Sequence, residues 1–236
     1  MRTRLVRKRR LSDDVAEHLA QMIQDGTFAE SERLPSEREL MRHFGVGRPS
    51  VREALQHLRK IGLVEVSSGE RARVTRPTPQ FVIDALSGTA RFMLSEPGGV
   101  QNFQNARIFF EAGLARHAAQ HATDEQLASF EAALEANRNS IGDLEVFERT
   151  DVDFHYVLAL MPRNPIFTAI HAALVEWLLE QRRTTLAPGE DAGAYEAHRV
   201  IFEAVAARDP DRAERAMRDH LEYVARRYTA LVEAAR

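Results

Sequence analysis

Three segments in the later part of the chain carry titratable residues on stripes that are otherwise apolar. Asp151 and His155 are spaced i, i+4, so they occupy one face of a predicted helix. His198 and His220 stand at inward positions of two later helical segments, among aliphatic and aromatic residues. One carboxylate and three imidazoles form a ligand set that suits zinc or another borderline divalent ion. These four residues therefore predict a divalent metal site, provided that their helices converge.

The same pattern also fits a metal-free interpretation. Burying an unpaired imidazole or carboxylate is costly, so inward polar residues commonly hydrogen-bond one another. A single inward histidine is more often such a core residue than a metal ligand, and spacing alone does not show that the helices meet. His117, His121 and His171 lack the pattern, and we interpret them as structural or surface residues.

Arg107 and Glu111 form a second charged pair, spaced i, i+4 on a long predicted helix. One interpretation is an ordinary helix salt bridge. The other is that Arg107 projects into the helical domain and binds a carboxylate ligand, because a guanidinium can hold both carboxylate oxygens at once. The sequence leaves both interpretations open.

A cluster of arginines in the N-terminal part of the chain indicates nucleic-acid binding instead of metal or carboxylate binding. Arg48, Ser50 and Arg52 fall at the start of a short helix that follows a glycine turn at residues 45–47. Arginine forks read guanine edges in the major groove, and helix N-termini bind phosphates. The cluster therefore predicts binding to duplex DNA. One arginine on the preceding helix and a hairpin tip complete the predicted contacts: Arg38, Ser68, Gly69 and Arg71.

Helix-turn-helix geometry also serves as a protein-interaction scaffold, and arginine runs are often only solvated faces. Here the charge distribution favours DNA, since residues 1–76 carry a net charge of +5 and the remainder carries −8. A nucleic-acid contact is therefore expected at one end of the chain only. A basic arm at residues 1–10 is interpreted either as a solvated tail or as a further phosphate contact.

The elements that must position these residues are predicted to be mainly helical. Three helices and a β-hairpin wing over residues 11–76 form a winged helix-turn-helix, with Ser12 as its first N-cap. Residues 77–80 form a linker, and residues 81–236 form an all-α bundle of about six or seven helices. Further cap residues mark helix starts: Ser36 with Glu39, Thr123 with Gln126, and Asp209 with Pro210.

Within the bundle, apolar periodicity predicts one helix over residues 165–182 and the next over residues 195–207. Residues 187–194 between them are interpreted as a mobile loop.

The composition narrows the class of protein. The 236 residues are 44% hydrophobic and 28% charged, which is typical of a globular protein, and they include no cysteine. No apolar run reaches the roughly 20 residues that span a bilayer, so we expect a cytoplasmic protein with no membrane partner. The sequence contains no HExxH motif, nucleophile elbow or phosphate-binding loop, so we do not expect an enzyme. A DNA-tethered metalloenzyme is the less favoured alternative.

The motifs resemble a known family of regulators. The segment LPSERELMRHFGVGRPSVREALQHL resembles the DNA-binding half of the GntR superfamily. The segment DVDFHYVL, with the later His198 and His220, resembles the FCD effector domain of the FadR subfamily. Further stretches, among them GERARVTRP, LSEPGG and HATDEQ, are similar to a sialic-acid-responsive member of that subfamily. The resemblance covers nearly the whole chain.

The resemblance implies a homodimeric transcriptional regulator that binds double-stranded operator DNA. Family DNA contacts correspond to Arg38, Arg48, Ser50, Arg52 and the wing at Ser68-Gly69. Gly47 stands where some members have a hydroxyl residue, so one of those contacts is expected to be missing.

The resemblance also implies how the regulator is controlled. Metal-binding members place an Asp and three His at the positions of Asp151, His155, His198 and His220, with zinc as the expected metal. A nearby arginine, here matched by Arg107, holds an organic-acid effector. The expected function is a repressor that is relieved by a carboxylate sugar acid such as N-acetylneuraminate. Another small organic acid is the alternative effector.

Overall fold

The computed structural model describes residues 10–67, 70–185 and 189–234. Residue contacts divide the chain into two compact units, Met1–Phe81 and Val82–Arg236. The described residues form eleven helices and one two-stranded antiparallel sheet. The mainly helical fold predicted from the sequence is therefore confirmed. None of the helices in these ranges is long and apolar enough to cross a bilayer.

The N-terminal unit consists of three helices and a short hairpin. Its elements are α1 (Leu11–Gln24), α2 (Glu37–Phe44), α3 (Arg48–Lys60), β1 (Val64–Glu65) and β2 (Arg73–Val74). The two strands pair antiparallel, with Val64 opposite Val74. Every one of these elements contributes to a single aliphatic core: Val15, Leu19, Leu40, Val51, Leu58, Val64 and Val74. This is the predicted winged helix-turn-helix.

Local signals position α2 and α3. Ser36 and Glu39 form the predicted capping box, because each side chain accepts the backbone N–H of the other residue. Gly45 ends α2 with a φ of 65°, a left-handed conformation that glycine adopts without strain. The chain then turns within two residues and enters α3, so the two helices of the motif are held close together.

The start of α1 differs from the sequence prediction. The sequence predicts Ser12 as the N-cap, but α1 already begins at Leu11. Asp13 accounts for the shift, because its carboxylate accepts the backbone N–H of Arg10 at 3.4 Å. Ser12 is buried inside the first turn instead of capping it.

The C-terminal unit is an all-α bundle. Its helices are α4 (Pro79–Ser95), α5 (Gly99–His121), α6 (Asp124–Asn139), α7 (Leu144–Leu160), α8 (Pro165–Trp177), α9 (Leu179–Thr185), α10 (Asp191–Ala206) and α11 (Pro210–Ala234). The most extensive helix contact joins α5 to α11, and α10 packs beside α11. Aromatic and aliphatic side chains fill the core between them: Phe130, Phe154, Leu158, Ile201, Val205 and Met217.

The bundle departs from the predicted pattern in several details. Its described residues form eight helices instead of about six or seven, and α4 begins at Pro79, inside the linker predicted at residues 77–80. The single helix predicted over residues 165–182 is divided into α8 and α9 at Leu178, where φ is −100° and ψ is 13°. Helix α10 begins at Asp191, so the predicted loop at residues 187–194 is partly helical, while its residues 187 and 188 lie outside the described ranges. The Asp191 carboxylate accepts the backbone N–H of Gly142 at 2.7 Å, a tertiary contact that sequence periodicity does not reveal.

Candidate metal centre, effector cavity and DNA-reading helix

Three of the four predicted metal ligands meet inside the C-terminal unit. His155 of α7, His198 of α10 and His220 of α11 each offer a ring nitrogen, and these nitrogens lie within 4.8 Å of one another. The ring centroids are 4.9 to 5.4 Å apart. All three side chains are buried. The helices therefore converge, a point that residue spacing alone leaves open.

A hydrogen-bond chain fixes the orientation of the His198 ring. Its Nδ1 lies 2.9 Å from Oδ1 of Asn137, whose Nδ2 donates to Oγ1 of Thr150 at 3.1 Å. With Nδ1 donating to Asn137, Nε2 of His198 carries the lone pair. That Nε2 is buried and has no hydrogen-bond partner in the described structure. A ring held at one nitrogen, with the other free, is the arrangement that a metal-ligating histidine requires.

His155 has the same arrangement with a different partner. Its Nδ1 lies 2.5 Å from Oε2 of Glu111, as an ion-pair contact and not a well-aligned hydrogen bond. Nε2 of His155 is buried, and it too lacks a hydrogen-bond partner among the described residues. Two imidazoles thus present partnerless Nε2 atoms in the same buried cluster.

The electrostatics of the cluster favour neutral imidazoles. Burial lowers the pKa of His198 well below its ordinary value, and the neighbouring His220 and His155 lower it further. Burial likewise lowers the pKa of His220, with a further contribution from His155. Neutral imidazole is the form that coordinates metal ions, so His198 and His220 can bind a cation without first losing protons.

The fourth predicted ligand, Asp151, lies at the edge of the cluster. Its Oδ1 is 3.4 Å from Nε2 of His198, and its Oδ2 contacts the guanidinium of Arg182. Asp151 is therefore shared between the imidazoles and a cationic neighbour. The carboxylate oxygen, the neutral imidazoles and the partnerless Nε2 atoms together fit a zinc-type ion.

A cavity of about 430 Å³ adjoins this cluster, and its wall includes Asp151 and His220. Its volume lies within the range of about 300–1,000 Å³ that is typical of small-molecule sites. The charged residues that line it carry both signs: Arg107, Glu148, Asp151, Arg182, Glu190, Asp219 and Arg227. The anionic group of a ligand would pair with the arginines, and its hydroxyl groups would hydrogen-bond to the carboxylates.

The salt-bridge interpretation of Arg107 is confirmed, whereas its binding of a carboxylate ligand stays a prediction. Its Nε lies 2.6 Å from Oε1 of Glu111, so the i, i+4 salt bridge is present and almost completely buried. Arg107 also lines the cavity. Burial raises the pKa of Glu111, but the charges of Arg107 and His155 lower it more, and the net pKa is well below the ordinary value. Glu111 is therefore ionised in spite of its burial.

Arg182 is a cationic residue of this cavity that the sequence reasoning missed. It is only 7% exposed, and burial together with the nearby positive charge of Arg107 lowers its pKa to about 9. Arg107 and Arg182 both line the cavity, and each is paired with one buried carboxylate, Glu111 and Asp151 respectively. The available signal was that Arg182 follows the buried Leu178 by one helical turn.

Asn137 and His171 were also missed as parts of the polar network. Asn137 follows the buried Phe130 and Leu134 on the same stripe of α6, which is the pattern that identified the inward histidines. His171, interpreted as a structural or surface residue, is buried, and its Nε2 lies 4.0 Å from Oε1 of Glu111. Burial lowers its pKa to about 4.

In the N-terminal unit, Arg48 and Arg52 project from the first turns of α3. Their side chains are 64% and 62% exposed, so both guanidiniums face solvent. Glu37 of α2 accepts from Nε of Arg48 at 3.0 Å and from Nε of Arg52 at 2.9 Å. One carboxylate thus aligns both arginines. Arg48 is the first helical residue and Gly47 is the N-cap, in agreement with the predicted start of this helix after the glycine turn.

The other predicted DNA contacts occupy different environments. Ser50 is half-buried in the first turn of α3, and Arg38 is exposed on α2. Arg71 is exposed beside the hairpin. The predicted wing-tip contacts at Ser68 and Gly69, and the basic arm up to residue 9, lie outside the described residues.

Known families match both units of the chain. Residues 11–74 match the bacterial regulatory proteins of the gntR family, and residues 103–223 match the FCD domain. The chain belongs to the gntR family and carries an FCD domain. The predicted DNA-reading helix α3 falls within the gntR match, whereas Arg107 and all four predicted metal ligands fall within the FCD match.

Curated gntR-family relatives match almost the whole chain. The HTH-type transcriptional repressor NanR of Salmonella newport is 49% identical over 236 residues, covering 98% of this chain and 90% of the relative. NanR of Salmonella typhimurium is equally similar, with 89% of its length covered. Among solved structures, the Streptococcus agalactiae GntR matches with a TM-score of 0.60 at 23% identity, covering 91% of this chain and 99% of that one. That structural match supports the fold assignment.

Proposed function

We propose that this gntR-family protein is a transcriptional repressor whose FCD domain binds zinc and a carboxylate sugar acid, with N-acetylneuraminate as the leading effector. It acts as a homodimer on double-stranded operator DNA in the cytoplasm, and effector binding lowers its affinity for DNA. The observation that carries this proposal is the meeting of three buried imidazoles, two of which have partnerless Nε2 atoms, next to an arginine-lined cavity whose wall includes His220.

The charges of the cavity support an acidic effector. Near the imidazoles, the two guanidiniums of Arg107 and Arg182 are balanced by the two carboxylates of Glu111 and Asp151. The imidazoles of His198 and His220 are neutral, so a bound divalent cation leaves the site with a net positive charge. A carboxylate ligand compensates that charge, and the arginines can bind it as a fork.

The mixed polarity of the wall supports a sugar acid over a purely hydrocarbon acid. Glu148, Glu190 and Asp219 line the cavity as hydrogen-bond acceptors, and Tyr223 also lines it. Sugar hydroxyls donate to carboxylates and accept from arginine or tyrosine. The relatives that share 49% identity are named as the repressor NanR, which supports the repressor role. The sialic-acid assignment rests on the sequence resemblance and on this chemistry.

The arrangement of α2 and α3 supports DNA recognition. The aligned arginines stand at the exposed N-terminal end of α3, where a glycine cap leaves the first backbone N–H groups without a side-chain acceptor. Backbone N–H groups at a helix start bind phosphate, and arginine reads guanine in the major groove. A two-fold dimer would present two such helices to a repeated half-site.

Metal analysis combined with thermal denaturation tests the proposal. Protein purified without chelator should contain about one zinc per chain, and a chelator should lower its Tm. N-acetylneuraminate should then raise the Tm only in the zinc-loaded sample, by an amount equivalent to about 2.7 kcal/mol at 100 times its Kd. Citrate and gluconate serve as comparison acids. A zinc-loaded protein whose Tm responds to none of these acids would refute the effector-binding half of the proposal.

A further inference from the structure

Glu111 is a buried carboxylate that belongs neither to the predicted metal ligands nor to the wall of the cavity. It lies on α5, is 1% exposed, and forms a buried salt bridge with Arg107. Removing a charged carboxylate from water is costly, so its neighbours must compensate that cost. Its position between two functional side chains calls for an explanation beyond core packing.

The two oxygens of Glu111 have different partners. Oε1 lies 2.6 Å from Nε of Arg107, and Oε2 lies 2.5 Å from Nδ1 of His155. Arg107 faces the cavity, whereas His155 belongs to the imidazole cluster. A single rigid carboxylate thus joins the candidate anion-binding residue to a candidate metal-binding residue.

Each contact leaves the functional end of the partner free. A carboxylate at Nδ1 orients the His155 ring and leaves Nε2 for a metal ion. At Arg107, the contact occupies Nε and leaves the terminal guanidinium nitrogens available to a ligand carboxylate. A displacement of Glu111 would therefore disturb both functional groups together.

We propose that Glu111 is a positioning residue that couples the metal centre to the effector cavity, because it fixes the positions of His155 and Arg107 relative to each other. This inference rests on the proposed function, because it assumes a metal at the imidazoles and an acid at Arg107. Metal binding at His155 fixes Glu111, and Glu111 in turn fixes Arg107 for the effector. By linkage, the effector must strengthen metal binding by the same factor.

The protein contains a matched control for this coupling. Asn137 holds Nδ1 of His198 as Glu111 holds Nδ1 of His155. Asn137 is uncharged, contacts Thr150 on its other side, and is not part of the cavity wall. Both residues should support metal binding, but only Glu111 should influence the effector independently of the metal.

The test compares full-length wild type with Glu111→Gln and Asn137→Leu. Zinc affinity is measured by competition with a chromogenic chelator, and N-acetylneuraminate affinity by calorimetry at a zinc concentration that saturates each protein. Both substitutions should weaken zinc binding by about 10- to 100-fold. At saturating zinc, Glu111→Gln should still weaken the acid by at least about fivefold. Asn137→Leu should leave the affinity for the acid within about twofold of wild type.

An effector affinity that Glu111→Gln leaves unchanged at saturating zinc would overturn the coupling. If wild type binds no N-acetylneuraminate, the proposed effector fails, and the inference is judged on the NMR resonance of Arg107 Nε. That resonance should shift during zinc titration of wild type and of Asn137→Leu but stay in place in Glu111→Gln. A shift of equal size in all three proteins would overturn the inference.

A measurement on unaltered protein covers the case in which Glu111→Gln does not fold. Long-range nitrogen-15 NMR of wild type reports which ring nitrogen of His155 carries the proton. The contact with Glu111 predicts protonated Nδ1 and a free Nε2, which zinc then perturbs directly. Protonation at Nε2 in the metal-free protein would contradict the positioning role.

Discussion

The two units of this regulator use charged residues in opposite ways. In the N-terminal unit, Arg48 and Arg52 are more than 60% exposed and share one partner, Glu37. In the C-terminal unit, seven charged and titratable residues at the imidazole cluster and the adjoining cavity are buried and contact one another: Arg107, Glu111, Asp151, His155, Arg182, His198 and His220. The exposed arginines are accessible to an external partner, whereas the buried residues lie beside a cavity of the size that encloses a small ligand.

This difference in burial determines how many other residues a single substitution should affect. An exposed arginine is solvated before it binds DNA, so its loss removes one contact and leaves the fold nearly unchanged. A buried network has no water to replace a missing partner, so the loss of one member leaves another uncompensated. We therefore expect graded effects in the DNA-binding unit and coupled effects in the FCD domain.

Acidification should have the largest effect, and it should act on the buried network. Burial holds the pKa values of His171, His198 and His220 below 6.5, so the unfolded chain binds protons there that the folded protein does not. Stability is then lost as the pH falls below about 6.5. Between pH 7 and 5.5 the free energy of unfolding of metal-free protein should fall by about 3 to 4 kcal/mol.

Urea unfolding in the presence of chelator measures this loss. His171→Gln removes one of the three groups without altering a predicted metal ligand, so it should reduce the loss by about a third. A free energy of unfolding that is constant across this pH range would show that the imidazoles are not buried as neutral groups.

His198→Ala should abolish metal binding with little direct effect on DNA. It removes a buried imidazole whose Nε2 has no other partner, so zinc affinity should fall by more than the roughly 100-fold upper limit for losing a supporting residue. His121→Ala, on the exposed end of α5, provides the control. Chelator competition measures the affinities, and retention of wild-type zinc affinity would remove His198 from the ligand set.

Arg52→Ala should weaken DNA binding by about 1 to 3 kcal/mol and leave the Tm unchanged, because the side chain is exposed. Arg59→Ala, exposed at the opposite end of α3, should have a much smaller effect. Fluorescence anisotropy with a DNA fragment selected by the protein from a random library measures both. Equal losses for the two variants would indicate general charge attraction and not positional contact.

Glu37→Gln should have the smallest effect, because it changes only the alignment of Arg48 and Arg52. Losing a negative charge near DNA should strengthen binding to unrelated sequences a few-fold, while the preference for the selected fragment falls. The ratio of the two affinities is the measurement. An unchanged ratio would mean that Glu37 does not align the arginines for base recognition.

The elements of this fold are largely encoded by local signals. The capping box at Ser36 and Glu39 and the left-handed Gly45 predict α2 and its turn correctly. By contrast, the start of α10 depends on the contact of Asp191 with Gly142, two residues far apart in the sequence. Sequence periodicity predicts which face of a helix is buried, but not which residues of other elements pack against that face.

The same limit applies to the candidate site. The inward positions of His155, His198 and His220 could be inferred from their apolar neighbours. Their convergence could not, because it depends on how three separate helices pack. The contact of Arg182 with Asp151 required the break between α8 and α9, and the second contact of Glu111 required α5 to lie against α7.

In the proposed function, a buried site for a metal ion and an acid controls the affinity of an exposed surface for DNA. The most direct test measures the Kd for the selected DNA fragment with and without N-acetylneuraminate, in zinc and again in chelator. With zinc present, the acid should raise the Kd by about 5- to 150-fold, corresponding to a coupling of about 1 to 3 kcal/mol. In chelator the acid should have no effect. A Kd that the acid leaves unchanged in the zinc-loaded protein would contradict the account.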